Sequence, residues 1–299
     1  MEGYKAGTTI RLRDHRARLS RRVAPCRRPV PVMRLPSAGS MIASVATLES
    51  GPDAVSDPTY PPLDRIKPVA FGLWIVDSGP IHAAGMMPLP VRMSVVRLSD
   101  GGVWLHSPTR YDAGLHREIE ALGPIRHLVA PNVAHWTYLK AWQRHCPQAL
   151  TWAAPNLRER RQVRQAGVRL DRDLGDSAPP EWAGDLTQVV VPGGFGFREV
   201  AFFHAASATL ILTDLVLNLE PGKLPPLMRP LLRIAGATAP DGRAPIYLRL
   251  VVRLRKHEAA RAAARLVALA PERVVFSHGA WFDRNGTDEL RRSLRWLLD

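Results

Sequence analysis

The sequence predicts a layered α/β or α+β fold of about ten strands. Short apolar runs bounded by turn residues fill the chain from residue 61, and strand and amphipathic helix patterns alternate after them with no internal repeat. The 299 residues are 46% hydrophobic and 23% charged, which excludes wholesale disorder and a fibrous chain. No run of about eighteen uncharged apolar residues occurs, so neither a spanning helix nor a membrane partner is expected. Cys26 and Cys146 are too few for a disulfide scaffold or a cysteine-built zinc site, which points to a reducing, cytoplasmic setting.

The net charge of +14 is unevenly placed, because residues 1–40 hold ten basic side chains against Glu2 and Asp14. They supply eight of the excess charges, and the other six are spread over the remaining chain. So thin a distribution does not predict nucleic-acid binding by the core. Arginine density together with Pro25, Pro29, Pro31 and Pro36 leaves the start too poor in apolar surface to order. The same prolines spoil the amphipathic helix of a transit peptide, and no apolar run follows Arg21-Arg22 as a secretory signal requires. Residues 1–60 therefore read as a basic tail and linker, with translation expected to start at Met33 or Met41, and residues 61–299 read as the folded domain.

In that domain, Phe71–Asp77 and Met93–Leu98 are apolar strands, and Asp100-Gly101-Gly102 is a hairpin turn before Val103–Leu105. Glycine accepts the positive φ such turns demand, so the domain opens as a β-meander. A helix over Gly114–Leu122, a buried strand over Ile125–Ala130 and a helix over Tyr138–Arg144 follow. Next come a strand at Leu150–Ala154, a surface helix at Asn156–Ala166 and strands at Gln188–Val191, Glu199–His204 and Thr209–Asp214. Residues 219–245 are rich in proline and glycine and read as an excursion that caps a site. A helix at His257–Leu269, a strand at Arg273–Ser277 and a helix at Asp288–Leu298 close the chain.

Polar residues stop four of these strands. His135 follows one, and His204, Asp214 and His278 close three others, so the four are positioned to meet on one sheet rim. Imidazoles with a carboxylate are a common set for zinc, iron or manganese. A single histidine at a strand end is usually a surface or capping residue, and His82, His106, His116, His127, His145 and His257 read that way.

The segments Val129–Trp136, His204–Asp214 and Val274–Gly279, following a β-meander, resemble the metallo-β-lactamase superfamily. More narrowly, Leu73-Trp-Ile-Val-Asp77, Pro90-Val-Arg-Met-Ser94, Leu98-Ser-Asp-Gly-Gly102, His106-Ser-Pro-Thr109, Ala130-Pro-Asn132 and Thr213-Asp-Leu215 resemble the DUF4336 proteins, a divergent branch of it. The resemblance spans residues 65–285 and implies an αββα four-layer sandwich. The superfamily's His-x-His-x-Asp-His loop falls on Ala130, Asn132, Ala134 and His135, so three of its four ligands are missing. The resemblance carries the later ligands over to His204, Asp214 and His278. The first metal position would keep His204 and Asp214, helped by the Asn132 amide oxygen, and the second would keep His135, Asp214 and His278. The expectation is one zinc or iron ion in the second position, with Asp214 and Asn132 in catalytic roles and Ser207, Thr209, Thr213 or Asn218 behind the ligands.

Two functions follow from different classes. One is a mononuclear metal-dependent hydrolase of a small ester, thioester or phosphoester. The other is a metal-free member of the fold that binds a ligand or a protein, its histidines merely hydrogen-bonded. Gly193-Gly-Phe-Gly196 lacks a strand–helix frame and reads as a turn. Trp74, Trp104, Trp136, Trp142 and Trp152 read as packing, and Arg92 and Arg97 as solvated residues that could meet an anion.

Overall fold

The computed structural model describes residues 57–83 and 87–299, and the basic tail with Met33 and Met41 lies outside them. One seven-stranded sheet follows chain order: β1 (Lys67–Ala70), β2 (Leu73–Ala83), β3 (Met87–Arg97), β4 (Val103–His106), β5 (Ile125–Ala130), β6 (Leu150–Ala153) and β7 (Arg172–Asp173). The meander β1–β4 is antiparallel. From β4 onward the pairs are parallel, because α1 (Ala113–Glu120), α2 (Leu139–His145) and α3 (Arg161–Ala166) carry the chain back between strands. Asp112 starts α1, its Oδ1 accepting from the N–H groups of Gly114 at 2.8 Å and Leu115 at 2.9 Å.

The second sheet joins β8 (Leu186–Pro192), β9 (Arg198–His204) and β10 (Thr209–Ile211) in antiparallel order. Its edge strand β12 (Arg273–Val275) runs parallel to β10. A short parallel pair, β11 (Leu217–Asn218) with β13 (His278–Gly279), sits beyond the ends of β10 and β12. Gly279 has φ +96, and a Cβ there would collide with the Asn218 carbonyl, so glycine is what lets His278 approach β11. The remaining helices are α4 (Arg229–Ala235), α5 (Ile246–Arg253), α6 (Lys256–Ala268) and α7 (Gly286–Leu298).

Three apolar layers hold the sandwich. Val95, Leu105, Leu128, Leu115, Ile119 and Trp142 fill the space between the first sheet and α1 and α2. Leu73, Trp104, Val129, Trp152, Val200 and Phe202 fill the space between the sheets. Val189, Leu210, Val274, Ala263, Leu266 and Leu294 join the second sheet to α6 and α7. This is the four-layer αββα arrangement. In the middle layer Trp104 meets Phe202 edge-on at 4.8 Å and Trp152 meets Trp182 at 4.5 Å, contacts worth about 1 kcal/mol each beyond their burial.

The structure differs from the sequence expectations in several places, among them the strand ends at Ile211 and Val275, which stop short of the expected Asp214 and Ser277. Phe71 and Gly72 form the turn between β1 and β2 instead of opening a strand. Helix α3 begins only at Arg161, because Asn156 takes φ 70 and Arg160 is extended. Residues 219–245 hold α4 and two short 3-10 turns, and α5 follows where no element was expected. His106 and His127 are buried, where surface positions were expected.

Candidate metal centre

Parallel strands in an open sheet direct their carboxyl ends to one rim, where ligand sites form. His135 lies just beyond the carboxyl end of β5 and Ser107 just beyond β4, in the first sheet. Asp214 and His278 follow β10 and β12 of the second. The sandwich brings the two rims together, and one ligand atom from each of His135, Asp214 and His278 lies within 4.8 Å of the others.

The geometry converges on one oxygen. Asp214 Oδ1 is 3.2 Å from His135 Nε2 and 3.3 Å from His278 Nε2. The outer nitrogens are also engaged, His278 Nδ1 donating to the Pro90 carbonyl at 2.8 Å and His135 Nδ1 meeting Ser107 Oγ at 2.6 Å. A carbonyl only accepts, so His278 must carry its proton on Nδ1. A neutral His278 therefore turns a bare Nε2 lone pair on a carboxylate, an arrangement that needs a cation between them, either a proton on Nε2 or a metal.

Electrostatics follows from that crowding. Burial raises the Asp214 carboxyl, but His135 and His278 overcome it and hold the group well below the usual carboxylate range. Burial depresses His135, yet the charge and hydrogen bond of Asp214 carry it above its ordinary value. Behind Asp214 stands Glu199 at the start of β9, buried, with Oε1 accepting from Thr213 N at 2.8 Å and Oε2 from Asp214 N at 2.9 Å. Burial and the Asp214 charge push Glu199 up to about 7, against the pull of those N–H groups.

Two expected site residues fall elsewhere. Asn132 cannot offer its amide oxygen to a metal, because Oδ1 already accepts from Ala134 N at 2.8 Å and His135 N at 3.1 Å. Its Nδ2 donates to Asp214 Oδ2 at 2.7 Å and Thr213 Oγ1 at 3.0 Å, so Asn132 shapes the loop and leaves Oδ1 of Asp214 to the histidines. His204 is not in the group at all. It pairs with Thr209 across the β9–β10 hairpin, and Asp214 lies five residues further on, roughly 16 Å along an extended chain. With Ser207, bonded to its Nδ1 at 2.7 Å, His204 occupies the opposite end of the sheet. Thr209 bonds to Ser207 there, and Asn218 donates to the Ala280 carbonyl, so only Thr213 of the four expected supporting residues touches the centre's hydrogen-bond network.

The centre opens into a cavity of about 220 Å³ walled by Ile81, Leu89, Val91, Pro108, Tyr138 and Tyr247, and among the described residues no lysine or arginine lines it. No residue of 219–245 lines it, and the cap is supplied by Tyr247 of α5 instead. Arg92 is no anion contact, being buried with Asp77 at 2.7 Å and donating to the carbonyls of Phe276 at 2.8 Å and Gly279 at 2.9 Å. It thereby ties the His278 loop to β3. Arg97 lines a separate cavity with His204. Sequence reasoning missed Ser107, Glu199, the Pro90 carbonyl and Tyr247. Only Glu199 had a signal, an acid in an otherwise apolar strand.

The fold and the placement of this group make the protein one of metallo-β-lactamase architecture. Solved structures that match include the DIM-1 metallo-β-lactamase exposed to ceftazidime, at 14% identity and TM-score 0.55, covering 78% of this chain and 95% of that one. The metallo-β-lactamase from Hirschia baltica matches at 14% identity and TM-score 0.51, covering 81% of this chain and 98% of that one. That from Pontibacter korlensis matches at 14% identity and TM-score 0.50, covering 79% and 99%. At such identity the likeness is one of fold. The chain belongs to the family described as a domain of unknown function, DUF4336, whose model matches residues 74–240. No curated protein matches it.

Proposed function

We propose that the protein is a mononuclear metal-dependent hydrolase, with His135, Asp214 and His278 holding one zinc or iron ion. The observation that carries this reading is the convergence of two imidazole Nε2 atoms on one carboxylate oxygen, each ring oriented from behind by an outer partner. Such outer contacts are the usual support of metal-bound histidines. A bound ion supplies a Lewis acid and a water acidified toward neutrality. The chain's own residues do the positioning. Ser107 and the Pro90 carbonyl set which ring nitrogens face inward, and Asn132 holds the second oxygen of Asp214. Burial and Asp214 raise the Tyr247 phenol, so it keeps its proton at the cavity wall.

The largely apolar lining, with no basic residue among those described, supports a small uncharged ester or thioester over a phosphoester. Ala134, where the superfamily pattern has an acid, leaves no carboxylate at that loop position to orient a water, and slow turnover is expected. We propose a cytoplasmic setting on the separate ground of the cysteine count, with the buried Cys146 kept as a thiol there.

The test is reconstitution of the full chain with zinc or ferrous iron, followed by metal analysis and an ester and thioester panel. About one bound equivalent is expected, with affinity lowered at least ~100-fold in His135→Ala and His278→Ala. Absence of stoichiometric metal together with an unchanged melting temperature would instead favour the metal-free binding protein, in which a protonated His135 already satisfies Asp214.

A further inference from the structure

Large exposed apolar side chains are concentrated in one stretch of this molecule. Of nine such residues among those described, seven lie between Leu227, which is 90% exposed, and Leu254. Their spacing is helical. Leu227, Leu231 and Ile234 stand at i, i+4 and i+7 through the turn leading into α4 and α4 itself, and Ile246, Leu250 and Leu254 stand at i, i+4 and i+8 along α5 and the residue that caps it. The inward face of α5 is separately occupied by Leu248 and Val252, and α4 buries no residue. Both helices therefore present an apolar stripe outward, the reverse of what a helix on a globular surface does.

The charge in the same stretch points to the occupant. Residues 221–256 hold eight lysines and arginines against Asp241 alone. Arg229, Arg233 and Arg253 are exposed, and among the described residues none of the three has a carboxylate within salt-bridge distance. A second copy of this surface would bring like charges together, and the basic residues 1–40 carry the same sign, so neither complements it. Aliphatic side chains interleaved with unpaired arginines match the boundary of an anionic bilayer, where chains take the apolar stripe and headgroups take the guanidinium groups.

We infer that α4 and α5 form a peripheral docking surface for an anionic phospholipid membrane, both helices lying in the headgroup plane. This differs from the sequence expectation of no membrane partner, because interleaved arginines break up the apolar run that hydropathy detects. No helix among the described residues is long and apolar enough to cross a membrane, so the contact is superficial. It does not depend on the metal reading.

The experiment is co-sedimentation of the full chain with phosphatidylcholine vesicles, with and without about one third phosphatidylglycerol. Binding to the anionic vesicles is expected at least ~10-fold above the neutral ones, and weaker in high salt. The triple variant Leu231→Ser, Ile234→Ser, Leu250→Ser is expected to lose that binding with its melting temperature kept, since all three side chains face solvent. Arg229→Glu with Arg233→Glu should lose it independently. Equal binding by wild type and both variants would overturn the inference and assign any vesicle binding to the basic residues 1–40. So would a stable wild-type dimer that the serine variant dissolves, since the stripes would then cover each other.

Discussion

The two ends of the β9–β10 hairpin carry similar residues in opposite circumstances. At one end Asp214 faces His135 and His278, with Glu199 holding its backbone from behind. At the other, His204 has its Nδ1 on Ser207 and no carboxylate among its hydrogen-bond partners, and burial lowers its pKa. An imidazole becomes a ligand candidate here when its outer nitrogen is held and its inner nitrogen meets an acid, and burial at a strand end does not achieve that alone.

Breaking the support of the Asp214 end should produce the largest effect. Glu199→Ala orphans the buried N–H groups of Thr213 and Asp214 and is expected to cost about 3 kcal/mol or more, read from the denaturant midpoint. The next largest effect contrasts the two ends directly. Ser107→Ala frees His135 Nδ1 and should weaken zinc binding by about 10- to 100-fold. His204→Ala should leave that affinity unchanged, and isothermal titration of both variants distinguishes this assignment from one in which His204 is a ligand. The smallest effect concerns a histidine outside both ends. Burial pushes His127 down to about 4, so its folded form stays neutral while the unfolded form gains a proton below about 6.5. Its contribution to stability is complete above pH 6.5 and is lost as pH falls toward 4, with a slope of up to about 1.4 kcal/mol per pH unit. His127→Gln, which keeps an acceptor for Trp152 Nε1, should flatten the slope in pH-dependent melting.

Much of this was legible beforehand, and the failures share a cause. Alternating apolar residues marked β3 and β4, and apolar runs bounded by turns marked β5 and β10, because burial selects such patterns. They also placed His135, Asp214 and His278 where apolar runs give way to loops, and the structure sets them after β5, β10 and β12. Strand direction is not written in such a pattern. His204 and Asp214 both close apolar runs, and only the four-residue reversal at Ala205–Ala208 reveals that those runs point opposite ways. Asn132 follows a proline at a loop start, a setting in which its side chain commonly bonds to backbone two residues on, and that signal argued against a ligand role. Tyr247 and the Pro90 carbonyl left no mark, since their positions depend on how α5 and β3 dock. Helix α5 itself was hidden because its outward face is as apolar as its inward one.

His135 hangs from the first leaf of the sandwich, whereas Asp214 and His278 hang from the second, and Arg92 already laces one leaf to the other through the carbonyls beside His278. A cation seated among the three would be a rivet through the seam. Parting the leaves would then mean drawing the rivet, so loading the centre should slow hydrogen exchange in β5 and β12 together.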